Sequence, residues 1–207
     1  MYEFNYFRFI LILPFLGFIS ISASIYVPRD ISTNPPTIQP IGEACVFNRI
    51  LSSYLLGHVA FGFQIGNDQY IYGADEGPIH NDSTHLCGDD KVWWQSTGTR
   101  AEMLKQFKDQ KYDRYKCEKV TNPNAENAQN MMIKVKAQKY YVNRVVCFAA
   151  LNDPTSNCLT DTISVLTEYN APGLPINSTL QNVPNDWYEQ LGNVGGYGGV
   201  WEYSTPL

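Results

Sequence analysis

Residues 57–73 read GHVAFGFQIGNDQYIYG, and their alternation fixes the local structure more firmly than any other stretch of the chain. Val59, Phe61, Phe63 and Ile65 recur at every second position, with His58, Ala60, Gly62 and Gln64 between them. A period of two is that of a β-strand, whose successive side chains point to opposite faces. Gly66-Asn67-Asp68 is turn chemistry and Gln69 to Gly73 reads as a returning strand, so the segment predicts an antiparallel hairpin. The second face of the first strand carries His58, two residues with almost no side chain, and Gln64. Small residues there admit another backbone at close range.

Around this hairpin the sequence predicts helices and further strands without a regular strand–helix alternation, which makes the fold class α+β: an antiparallel sheet with packed helices. Glu43 to Leu56 reads as a short helix or strand, and residues 74–98 as a polar loop holding His80, His85, Cys87, Trp93 and Trp94. Thr99-x-x-Glu102 is a capping box opening a helix to Gln110. Tyr112 to Val120 reads as a strand, Asn124 to Tyr140 as an amphipathic helix, and Tyr140 to Leu151 as another strand. Asn157 is placed to cap a helix starting at Cys158 and stopped by Asn170-Ala171-Pro172. A short helix around Pro184–Leu191 precedes a Gly/Tyr-rich tail.

The chain has 207 residues, 44% hydrophobic and 17% charged, which suits one globular domain with a sizeable core. Its net charge of -5 comes from scattered carboxylates. Nucleic acid is therefore not an expected partner, because phosphate binding needs clustered Lys and Arg. The amino terminus differs from this average. Arg8 is followed by an uncharged run from Phe9 to Pro28, with small residues at Ser22, Ala23 and Ser24. That pattern describes a secretory signal peptide over residues 1–24; the competing reading is an uncleaved single-pass anchor, since about 20 apolar residues cross a bilayer. Residues 25–42 follow as a Pro-rich linker, and 43–207 as the folded domain. The sequons at Asn81 and Asn177 fit an exported glycoprotein.

An exported chain meets an oxidising compartment, and this one has five cysteines. Cys45, Cys87, Cys117 and Cys147 are most simply two disulfides, with three connectivities open. The odd residue is then Cys158. At the first turn of a helix its thiolate is stabilised by free backbone N–H groups and the macrodipole, which predicts a lowered pKa, and the same N–H groups suit an oxyanion. A thiolate nucleophile needs a base within reach, and His58 is the histidine on a strand with an open face.

A histidine on a strand, GHVAFGFQI, followed a hundred residues later by Asn-Cys opening a helix, NCLTDTISVL, resembles the circularly permuted papain-like thiol enzymes. These are relatives of the NlpC-type cell-wall endopeptidases and of lecithin-retinol acyltransferase. The resemblance implies a permuted papain-like sheet, Cys158 as nucleophile, His58 as base and a polar residue as orienter, for which Glu76 and Gln64 are the candidates. It implies an amide or ester substrate, a peptide or a lipid ester, and no cofactor. Leu159-Thr160-Asp161 after the Asn-Cys departs from the acyltransferase branch, which has an acidic residue and a histidine there.

Other readings stand beside this one. Cys158 is alternatively a disulfide partner or an inert core thiol, and His58 a structural histidine. The chain would then be an inactive, disulfide-stabilised interaction module of the same fold. His80, His85, Cys87 and Asp89 are ligand types close together, but no metal is expected there, because glycosylation at Asn81 would crowd it. Trp93, Trp94, Trp187 and Trp201 read as core or loop anchors before a sugar platform.

Overall fold

The computed structural model describes residues 40–51, 56–77, 90–141, 156–175 and 183–192, together with the backbone of 9–10, 20–21, 78, 87–89 and 202–203. The chain divides into two compact units, Met1–Ile38 and Gln39–Leu207. The first contains a short antiparallel pair, β1 (Phe9–Ile10) and β2 (Ser20–Ile21). No helix among the described residues is long and apolar enough to cross a membrane.

The second unit is α+β. In chain order it runs β3 (Ile41–Arg49), β4 (His58–Gly66), β5 (Gln69–Pro78), β6 (Cys87–Asp89), β7 (Lys91–Gly98), α1 (Arg100–Asp109), β8 (Arg114–Thr121) and α2 (Ala125–Lys136). It continues with β9 (Tyr140–Tyr141), α3 (Cys158–Glu168), α4 (Pro184–Gln190) and β10 (Glu202–Tyr203). Six strands form one antiparallel sheet in the order β10-β8-β3-β4-β5-β7, and β6 and β9 pair separately.

The expected hairpin is present: β4 and β5 pair from Phe61↔Gly73 to Gln64↔Tyr70, and Asp68 takes φ 49° in the connecting turn. The strand reading of the Glu43 segment also holds. Residues 74–98 differ from the expected loop: β5 continues to Pro78, and Lys91–Gly98 is an edge strand paired to it. Alternation on β7 then sends its two tryptophans to opposite faces, where Trp93 packs against Phe61 and Trp94 against Tyr72 and Phe107. A polar-looking loop is a strand here because it pairs with β5 and its two tryptophans dock on opposite layers.

The sheet is covered on both faces. On one, Val46, Val59, Phe61 and Phe63 pack against Val135 of α2, Leu159, Val165 and Leu166 of α3, and Trp187 of α4. On the other, Cys45, Phe47, Ala60 and Tyr72 pack against Met103 and Phe107 of α1. The small residues of β4 serve this second layer: a Cβ on Gly62 would stand 2.5 Å from Met103 Sδ. The helix admitted beside Ala60 and Gly62 is thus α1, whereas the cysteine helix α3 packs on the Val59–Phe61–Phe63 side.

Cys45 and Cys117 are directly opposite on β3 and β8 and form a disulfide across the sheet. This selects among the three connectivities expected. Of Cys87 only the backbone is described, and Cys147 lies outside the described residues, as do the sequons at Asn81 and Asn177 and the residues His80 and His85.

Candidate active site

Helix α3 begins where the sequence places it. Asn157 Oδ1 accepts hydrogen bonds from the N–H groups of Leu159 (3.0 Å) and Thr160 (2.9 Å), and Thr160 Oγ1 in turn accepts from the Asn157 N–H, closing a capping box. The Cys158 N–H is the first-turn amide that this cap does not engage. Cys158 is the free cysteine among the described residues, buried at 6% exposure.

The thiol docks at the start of β4. The peptide between His58 and Val59 directs its carbonyl to Asn48 Nδ2 at 3.1 Å, and its N–H to Cys158. On that side β4 has parted from β5, whose pairing with it ends at Phe61↔Gly73. The sulfur thus takes a backbone donor that the sheet leaves unpaired at its end.

His58 belongs to the other face. Its register partner is Arg49, its ring lies 5.8 Å from that of Tyr112, and its Nε2 is 3.4 Å from Glu76 Oε2. Glu76 is the centre of this group. Its Oε1 accepts from Trp94 Nε1 at 2.8 Å and from the Tyr112 hydroxyl at 3.1 Å, and its Oε2 accepts from Arg49, which also stacks on Tyr112. His58 Nε2 and Arg49 Nε are both buried without a hydrogen-bond partner.

Of the four expected site residues, the fold gathers Cys158, His58 and Glu76 at the same end of β4 and excludes Gln64. Gln64 lies six positions along the strand, about 20 Å away at 3.3 Å per residue, and bonds Gly66 O. Glu76 is therefore the candidate orienter. The thiol and the imidazole approach from opposite faces, with the His58–Val59 peptide between them, because alternation along β4 assigns residue 58 to the α1 side and residue 59 to the α3 side.

The electrostatics differ from the expected lowered thiol pKa. Burial pushes Cys158 up to about 12, opposed by the Val59 N–H and reinforced by the carboxylates of Asp75, Asp161 and Glu76. Desolvation outweighs the helix end because the sulfur has almost no water and three acids near it. Burial pushes His58 down to about 4; Glu76 opposes this and Arg49 adds to it. Glu76 itself is held below the usual carboxylate range by His58, Trp94 and Arg49 against its burial. The resting site is a neutral thiol and a neutral imidazole beside an ionised, fully engaged carboxylate.

Beneath the thiol lies a buried ionic group that the sequence does not announce. Lys91 Nζ donates to Val135 O and Asp161 Oδ2, both at 2.7 Å, and to Ser156 Oγ, and lies 3.3 Å from Asp75 Oδ2. Ser156 Oγ also donates to Asp161 Oδ1. These bonds join β5, β7, the end of α2 and the first turn of α3. The signal for Asp161 was present, since an acid in a first turn beside a candidate nucleophile is conspicuous, but Lys91 is 70 residues away in sequence.

Glu43, Cys45 and Cys117 are the cluster of metal-ligand types among the described residues, but both sulfurs are committed to the disulfide. No family model, curated protein or solved structure matches this chain.

Proposed function

We propose that the chain is a thiol hydrolase or acyl transferase with Cys158 as nucleophile, His58 as base and Glu76 as the orienter of the imidazole, acting on a peptide amide or a lipid ester. The observation that supports it is the delivery of Cys158, by an Asn-capped helix start, to the backbone N–H next to His58, whose ring faces Glu76. In this reading a side-chain rotation on substrate binding brings the His58 imidazole past the His58–Val59 peptide to the sulfur, where it takes the thiol proton as the sulfur attacks the carbonyl carbon, then returns it to the leaving amine or alcohol. The Cys158 N–H, outside the Asn157 cap, is the donor available to the oxyanion. Because thiol and imidazole are both neutral at rest, the nucleophile is generated in the presence of substrate rather than stored as an ion pair.

A second reading is an interaction module without turnover. The burial of both groups favours it: His58 is 2% and Cys158 6% exposed. The disulfide supports an exported, oxidised protein in either case, and with the amino-terminal pattern and the two sequons we assign a secreted glycoprotein, or its anchored form.

Exposure to a panel of activated acyl esters and peptide amides, followed by intact mass and peptide mapping, separates the two. The enzyme reading expects an acyl thioester on Cys158, absent in Cys158→Ser and formed at least about a hundredfold more slowly in His58→Ala. Failure of the native protein to acylate Cys158 with any of the panel leaves the module.

A further inference from the structure

Glu76 Oε2 stands between a guanidinium and an imidazole. Arg49 donates to it directly, whereas His58 Nε2, 3.4 Å from the same oxygen, makes no hydrogen bond. The other oxygen, Oε1, is already filled by Trp94 Nε1 and the Tyr112 hydroxyl. One carboxylate thus faces four donors, and Arg49 and His58 compete for the oxygen that remains.

Of the two groups facing Oε2, Arg49 is the more exposed. Its side chain is 26% exposed, against 2% for His58, and it is the last residue of β3, next to Ile50 and Leu51 at 38% and 79% exposure. Its Nε is buried without an acceptor, so the resting arrangement leaves part of the guanidinium unsatisfied. The Tyr112 ring lies 4.8 Å from its central carbon, and withdrawal exchanges this cation–π contact for water.

We propose that Arg49 is a positioning residue: in the resting site its guanidinium occupies the Glu76 oxygen that faces His58, and its withdrawal lets Glu76 bind the imidazole. The inference rests on the reading of His58 as the base and Glu76 as its orienter, and adds to that site a gate. With Arg49 in place, Arg49 and Glu76 neutralise each other and a proton on His58 has no partner. With Arg49 withdrawn, the Glu76 carboxylate is left facing the imidazole and stabilises its protonated form, which a base must pass through.

The groups around the His58 ring are Arg49 from β3, Glu76 from β5 and Tyr112 before β8, with Trp94 of β7 bonded to the far oxygen of Glu76 and the Cys158 thiol on the other side of the His58–Val59 peptide. Of these, Arg49 and Glu76 are the charged ones, so removing Arg49 has a defined sign.

The test is a proton NMR titration of His58 in the intact, unreduced chain, its signal assigned by loss in His58→Gln. Arg49→Gln, which keeps a neutral amide donor on a shorter side chain, and Arg49→Met, which keeps only an apolar stem, are compared with the native protein and with the charge-preserving Arg49→Lys. The expected result is a rise of the His58 midpoint by at least about one pH unit, a tenfold gain in proton affinity, in both neutral variants, with a smaller change in Arg49→Lys. An unchanged or lowered midpoint in a folded neutral variant overturns the proposal, as does an equal rise in Arg49→Lys. The readout does not depend on turnover, so failure of Cys158 to acylate removes the enzyme reading while the titration still decides whether Arg49 holds Glu76 from His58.

Discussion

Asp75 and Glu76 are consecutive on β5 and serve opposite faces of the sheet: Asp75 lies beside Lys91 under the cysteine helix, while Glu76 holds Arg49 and faces His58. Strand alternation makes this unavoidable, and it means that one dipeptide couples both halves of the site. The consequences for stability and pH dependence can be separated residue by residue.

Lys91 is 3% exposed and is the cation facing both Asp75 and Asp161. Lys91→Met leaves two buried carboxylates without it, and removing one partner of a buried ion pair costs about 3–5 kcal/mol. Urea unfolding is expected to show a loss of that order in Lys91→Met; a loss below about 1 kcal/mol would show that the group does not hold α3 to the sheet.

Asn157 engages two first-turn amides, so Asn157→Ala is expected to cost about 1 kcal/mol, and Asn157→Asp much less. Denaturant midpoints measure this. Equal effects of Ala and Asp would mean that the side-chain oxygen is not the capping group.

The pH profile of stability has two limbs with different owners. His58, held down to about 4 in the fold, binds its proton more readily when unfolded, so its contribution is present above the ordinary histidine value of about 6.5 and is lost as pH falls towards 4. Asp75, raised to about 8 by burial, behaves oppositely: its contribution is complete below the unfolded value near 3.8 and is lost as pH rises through 8. Unfolding free energies measured from pH 4 to 9 are expected to lose the acid limb in His58→Gln and the alkaline limb in Asp75→Asn. Persistence of either limb in its variant contradicts the assignment.

The Cys45–Cys117 bridge closes a separation of 72 residues, and its removal as Cys45→Ala/Cys117→Ala is expected to cost about 2–4 kcal/mol in thermal or urea unfolding. If Cys87 and Cys147 form the second expected bridge, thiol titration of the denatured, unreduced chain finds one thiol, at Cys158. Three thiols would limit the bridging to Cys45–Cys117.

Much of the fold was legible because its signals are local. The β4–β5 hairpin follows from its alternation and turn, α1 from the Thr99–Glu102 box, and α3 from Asn157, each decided by residues within one or two turns of one another. The strand β7 was not legible, since its burial does not alternate and what makes it a strand is its pairing with β5. Likewise Cys158, His58 and Glu76 were recognisable as residue types, but Arg49, Tyr112 and Trp94 around Glu76 were not, because their contacts span 18 to 36 residues of sequence separation.

What the sequence alone determined is therefore the β4–β5 hairpin, the helices α1 and α3, and the position of Cys158 at a capped helix start. What only the tertiary structure decided is the environment of that cysteine: on which side of β4 it docks, which acids surround it, and that water is excluded. Those decisions reverse the direction of the thiol pKa, because a helix terminus acts through one turn of backbone whereas desolvation and neighbouring charge act through everything the fold packs around the sulfur.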